Sequence, residues 1–403
     1  EGISATWIML GWISGDLFTW FWVPKALRRL SAKQKNTTIP EFLAYDKSNG
    51  PSTSIRILVA LLTAVFLGIY AAAQLHAGSK AIHVLFGFEE YIGILAGSLI
   101  VLLYSFSGGI RASIYTDSVQ AVVMLASMLL LVTLSLTKLG GFTELFTSLA
   151  AIDPKLVRWN KEGLKFGLFL YALGWLFAGI GVTGQPHIMI RAMTIDNVKN
   201  FKTARNVYFT WYVLFTIATL IVGLSCRVLL PELYASPELA LPKLSYKLLP
   251  EFATGIVLAG LVSATISTAD SQILSCAAAI SQDATCTKRE TIGSTRLATA
   301  VAIVIETVIA LSATSTVFNL VAISWSVLAS ALSPLMILRA LEVSLPNAVS
   351  ILTMVTGLST MLIWRFIFGL QNSVFDAMPG IIMGFIPFLI YRLYRFKACA
   401  PTR

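Results

Sequence analysis

The sequence predicts an all-α polytopic membrane protein of about eleven transmembrane helices, and three observations carry that prediction. The chain is 56% hydrophobic and only 12% charged over 403 residues, where soluble domains carry about a quarter charged residues. Mean hydropathy is +0.78. The apolar residues also fall into runs near the ~20 residues that cross a hydrocarbon core as a helix. The ten-residue alternation of a membrane barrel is missing. The runs cover about 3–24, 54–77, 91–107, 114–138, 164–186, 206–230, 252–280, 294–312, 316–338, 346–369 and 377–394.

Taken in order, the first run holds Asp16 at its interior and is followed by a basic loop with Lys25, Arg28, Arg29, Lys33 and Lys35. Thr38-Ile39-Pro40-Glu41-Phe42 then reads as the start of a short interfacial helix, with proline in the first turn and threonine before it. Asp117 follows Tyr115-Thr116 at the start of the fourth run, where an acid ordinarily complements a helix N-terminus. The fifth run carries Gly174, Gly179, Gly181 and Gly184 before Gln185-Pro186-His187, so it bends or ends there. Broken helices of this kind recur at transporter binding sites, and a helix simply ending is equally good physics. Glu306 lies near the middle of the eighth run; that run and the eleventh otherwise read as scaffold. Asp16 and Glu306 each read as a paired, cavity-facing or proton-binding acid.

The seventh run is the most informative. Ser263, Ser267, Ser271 and Ser275 recur every fourth residue with Asp270 beside them, forming one polar stripe on an apolar helix. Hydroxyls and a carboxylate at that depth cost free energy unless they meet partners, water or an ion. Oxygen donors on one face suit a hard monovalent cation such as sodium. Alternatively, the hydroxyls bond back to the i−4 carbonyl or join helices together.

The net charge of +10 sits in loops, which argues against a nucleic-acid surface. Lys25 to Lys35, Arg191 with Lys199, Lys202 and Arg205, and Lys288, Arg289 and Arg296 fall on one side, joined by Arg392, Arg395, Lys397 and Arg403. The positive-inside rule makes that side cytoplasmic, with the C-terminus inside and residue 1 outside. An external loop with Lys155, Arg158, Lys161 and Lys165 opposes this orientation. Cys226, Cys276, Cys286 and Cys399 show no CxxC spacing, and His76, His83 and His187 form no cluster, so neither a disulfide framework nor a zinc site is indicated. With no nucleophile–base pair or metal motif, an enzyme is not expected.

Several motifs, in order, resemble the sodium:solute symporter family, and within it the sodium/proline branch. They are Thr38 to Phe42, Leu103-Tyr104-Ser105-Phe106-Ser107-Gly108-Gly109, Tyr115-Thr116-Asp117-Ser118-Val119-Gln120, Gly184-Gln185-Pro186-His187-Ile188 with Arg191, Thr210-Trp211, and Ser267-Thr268-Ala269-Asp270-Ser271-Gln272. The resemblance implies a five-plus-five inverted-repeat transporter core with flanking helices and alternating access around a midplane site. It implies Ser267 and Thr268 as hydroxyl ligands of a main Na+ site, with a second cation site involving Ser267, Asp270, Ser271 and Asp117. Position 270 is aspartate here, where several members carry serine. Tyr104 and Trp211 map onto the branch's solute-site aromatics; packing or an interfacial role is the alternative for each.

On this reading residues 1–403 form one transporter domain, with the remaining core helices in 1–338 and accessory helices and a short tail in 339–403. The family's first core helix is absent from the chain, which begins at Glu1 and reads as starting partway through a protein, a truncated, inactive form being the alternative. The implied activity is sodium-coupled import of a small solute, proline first, across the bacterial plasma membrane. Another amino acid, pantothenate, a sugar or a sialic acid is the alternative solute, and a transporter-like sensor the alternative class. The bilayer is the expected surrounding, and no obligate protein partner is evident.

Overall fold

The computed structural model describes residues 1–284 and 292–398, and only the backbone for 107–112, 234, 235, 292 and 396–398. Cys286, Lys288, Arg289, Cys399 and Arg403 lie outside the described residues.

The helices are α1 (Thr6–Trp20), α2 (Val23–Gln34), α3 (Ile39–Ala44), α4 (Thr53–Phe86), α5 (Glu90–Leu139), α6 (Phe142–Ile152), α7 (Gly167–Ile180), α8 (Pro186–Met193), α9 (Phe201–Leu229), α10 (Ala240–Leu248), α11 (Glu251–Ala278), α12 (Ile292–Ser312), α13 (Val317–Ala340), α14 (Asn347–Leu362), α15 (Ala377–Gly384) and α16 (Ile386–Ala398). Between α3 and α4 a small hairpin pairs Tyr45–Asp46 with Gly50–Pro51. Among the described residues, nine segments are long and apolar enough to cross a membrane, and Glu90–Phe106 and Phe142–Ile152 are shorter apolar helices.

One expected span needs correction, and two others are joined. The run 3–24 is not one helix: a 3-10 turn, Gly2–Ala5, leads into the 15-residue α1, and α2 starts afresh at Val23. Pro24 in the first turn of α2 favours that new start. The runs 91–107 and 114–138 carry helical backbone without interruption as α5. Yet the Tyr104 hydroxyl meets the Thr116 hydroxyl. Twelve residues of straight helix would separate their backbones by about 18 Å, further than the two side chains reach, so α5 bends sharply between them and the two arms remain distinct.

The fifth span loosens where its glycines are: α7 passes into a 3-10 turn at Gly181–Gly184, and Pro186 opens α8. The seventh ends in a wide turn at Ala279–Ala284. Thr38 caps α3 as its motif predicts, accepting from the Glu41 amide at 3.2 Å.

α13 is the centre of the bundle: 78% of its apolar stretch is buried, against at most 50% in the other described spans. Trp325 on α13 donates to the Ala178 carbonyl of α7 at 2.9 Å; Trp12 packs against Trp325, Trp175 and Phe375, and Trp175 stacks on Phe375. α1 crosses α7 closely because Gly15 and Gly179 face each other's partner backbone; a methyl at either would strike it. On the loop side Asp46 and Arg339 form a buried ion pair. Burial alone would raise the Asp46 carboxyl, but hydrogen bonds from the Leu345 and Ser48 amides and the Ser344 hydroxyl, together with the Arg339 charge, outweigh it and bring it down to about 2.

Candidate functional site

The polar stripe of α11 faces both arms of α5. Ser267 donates to Oδ1 of Asp117. Three residues on, Asp270 is buried and its Oδ1 accepts from Ser105 on the first arm of α5 at 2.5 Å. Positions i and i+3 share a helix face, so Ser267 and Asp270 bring two α5 arms to one locus. Asp117, near the start of the second arm, does more than complement a helix end: its Oδ2 pairs with Nη2 of Arg191 at 2.5 Å. Arg191 is placed there by the break at Gly181–Gly184, which turns the chain into α8.

The other hydroxyls of the stripe behave locally. Thr268 donates to the Ala264 carbonyl at 2.9 Å, Ser271 to Thr268 at 2.9 Å and Ser275 to Ser271 at 2.9 Å. A hydroxyl that donates its proton keeps lone pairs as acceptors, so Thr268 and Ser271 retain oxygen for a cation.

Beside this locus, sharing Arg191 with it, lies a cavity of about 980 Å³, lined by Ser271, Ser275, Arg191, His187 and Thr63 and reaching Thr38, Glu41 and Arg56. Its mouth carries an ionic cluster: Arg56 bonds Asp283 at 2.7 Å and Glu41 at 2.8 Å, and Thr38 donates to Asp283 at 2.9 Å.

Of the two aromatics, Tyr104 lies beside this locus through Thr116, the neighbour of Asp117. Trp211 on α9 donates to the carbonyl of Ala121 at 2.9 Å and stacks on Phe215. Ala121 is one helical turn beyond Asp117. Asp16 and Glu306 stand apart. Asp16 is buried and accepts from Tyr208 at 2.8 Å. Glu306 is buried on α12, beside the Cys276 thiol of α11 and close to Gly68 of α4. Ser105 and Arg191 were not singled out from sequence as site residues. Arg191 left a signal, a lone cation just past a Gly-Gln-Pro break; Ser105 left only its place in the Leu103–Gly109 motif.

A family model described as "Sodium:solute symporter family" matches residues 1–348. The chain belongs to this family. It is therefore a sodium-coupled secondary transporter of the plasma membrane and not an enzyme, with Na+ as the co-transported ion. Among curated relatives, the osmoregulated proline transporter OpuE of Bacillus subtilis is 28% identical, over 96% of this chain and 80% of its own length. The sodium/proline symporter of Salmonella typhimurium is 27% identical, over 98% of this chain and 80% of its own. Among solved structures, a Na+-coupled sialic acid symporter in a substrate-bound outward-open state superposes with a TM-score of 0.77 at 18% identity, covering 96% of this chain and 83% of that one. Mhp1, a nucleobase-cation-symport-1 transporter, gives 0.56 at 12% identity, over 98% and 87%. The fold of this symporter is thus that of the sequence expectation, an all-α transporter bundle.

Proposed function

We propose that this symporter imports proline with sodium, and that the cation binds where α11 meets the two arms of α5. The observation carrying the reading is the Ser105–Asp270 and Ser267–Asp117 pairing, four oxygen-bearing side chains gathered inside the spans beside a large cavity. Ser267 and Thr268 supply hydroxyl oxygens to the main sodium. Asp117, Asp270 and Ser271 supply the oxygens of a second cation site. Tyr104 and Trp211 flank the solute, which the proline-transporting relatives suggest is proline.

Sodium binds first and stabilises an arrangement in which the solute site is formed; the solute follows and both leave on the side of the basic loops, where the C-terminus lies. Each charge moved down the membrane potential adds about 2.3 kcal/mol per 100 mV. Sodium can raise solute affinity only through a coupling free energy, so the solute raises sodium affinity by the same factor.

The test is uptake of labelled proline into proteoliposomes under an inward sodium gradient, with choline as the control. Sodium-dependent accumulation is the expected result. Sodium-dependent uptake of a different solute from a panel, with proline inert, would remove proline and keep the symport.

A further inference from the structure

We infer that Arg191 is a tethered counter-ion that competes with the transported cation for Asp117, so that cation binding and release of the guanidinium are one event. The inference rests on the proposed cation site and adds a residue to which that reading gives no role.

The reasoning is one of charge and position. Two carboxylates, Asp117 and Asp270, belong to the locus, and both are largely withdrawn from solvent, with side-chain exposures of 16% for Asp117 and residue exposure of 1% for Asp270. Two anions this close repel in a medium of low dielectric unless a cation joins them. Among the described residues one cation is ion-paired there, Arg191, on Oδ2 of Asp117. Its side chain is 39% exposed, on the wall of the cavity. It is thus held at one end by Asp117 and free at the other to move into open space.

A sodium ion coordinated by Asp117 would sit against the guanidinium, and the pair of positive charges would repel. The guanidinium is planar, permanently charged and weakly hydrated, so it can leave the carboxylate for the cavity without a change of protonation. There it presents donors suited to a carboxylate. Occupancy of Asp117 by sodium then prepares the cavity for an anionic group of the solute, which is a physical route for the coupling that symport requires.

The experiment is titration of the purified protein with sodium at constant ionic strength, with and without Arg191→Gln, following radiolabelled sodium binding. Removing the competitor should tighten sodium binding by about tenfold, within the usual range of coupling free energies, and should abolish the mutual enhancement between sodium and proline. Arg191→Lys, which keeps the charge and loses the fork, should retain weak sodium binding and part of the enhancement. A folded Arg191→Gln protein with unchanged or weaker sodium affinity overturns the inference while leaving the cation site intact. Absence of saturable sodium binding in the unmutated protein removes the site itself and the inference with it. A second measurement needs no variant: phenylglyoxal, which modifies accessible arginines, should label Arg191 faster in sodium than in choline. Equal labelling rates contradict release.

Discussion

Two serine-rich helices, α11 and α13, use the same residue largely for different purposes. On α13, Ser324, Ser326, Ser330 and Ser333 are fully buried. Ser330 lies against Gly357 of α14 and Gly380 of α15, so close that a methyl at either glycine would overlap it. Serine there is a small residue that lets backbones approach, as in close-packed membrane helices. One serine of α13, Ser326, also bonds a carboxylate, that of Asp376, but there Arg365 pairs the acid at 2.6 Å and the site is packed shut. On α11, Ser267 bonds the carboxylate of Asp117, and Ser271 and Ser275 line a cavity. Spacing alone does not separate the two uses. The acid within the α11 stripe, and the open volume beside it, do.

The widest separation between the helices is expected in transport. Asp117→Asn should reduce sodium-driven uptake to the sodium-free level, because it removes the charge shared by Ser267 and Arg191. Ser330→Ala should leave uptake near that of the unmutated protein; equal loss in both variants would erase the contrast. On the scaffold side, Asp46→Asn breaks the buried pair with Arg339 at the end of α13. Leaving a buried charge without its partner costs about 3–5 kcal/mol, read as a fall in Tm in detergent near neutral pH. The sign follows from the carboxyl, which folding lowers from 3.8 to about 2. Its contribution is present above 3.8 and is lost as pH falls through about 2. The unmutated protein and the variant should therefore converge in Tm below that window; a constant difference would show that charge is not the cause.

A smaller effect belongs to Gly357→Ala, which overpacks α13 against α14. It should cost about 1–3 kcal/mol of stability while leaving sodium affinity unchanged, and thermal unfolding alongside sodium binding checks both halves. The smallest is Trp211→Phe. The ring can still stack on Phe215, but the bond to the Ala121 carbonyl is lost. A neutral hydrogen bond contributes about 1 kcal/mol, so the solute KM should rise about fivefold with sodium affinity little changed. An unchanged KM would leave Trp211 a packing residue.

The fold was legible because a hydrocarbon environment imposes length and composition on every span, and runs such as 316–338 need nothing beyond those. Its errors fall where composition is uninformative. The Trp-rich run 3–24 hides the start of α2, since apolar aromatics continue across the junction at Phe21–Trp22. The bend of α5 is announced only by a contact between Tyr104 and Thr116, which no periodicity encodes. For the site, Ser267 and Asp270 stand out because a stripe with an acid is costly in a membrane. The hydroxyls of Thr268, Ser271 and Ser275 could equally bond back to their own helix, and they do. Arg191 was visible as a motif residue but not as the partner of Asp117, because the two are 74 positions apart and meet only through the turn after α7.

The central claim is that the cation belongs to α11 and not to α13, and the direct measurement is saturable binding of radiolabelled sodium to two double variants. Ser267→Ala/Thr268→Ala should lose it, and Ser330→Ala/Ser333→Ala should keep it at unmutated affinity. Retention by a folded α11 variant, or loss in the α13 variant alone, would contradict the account.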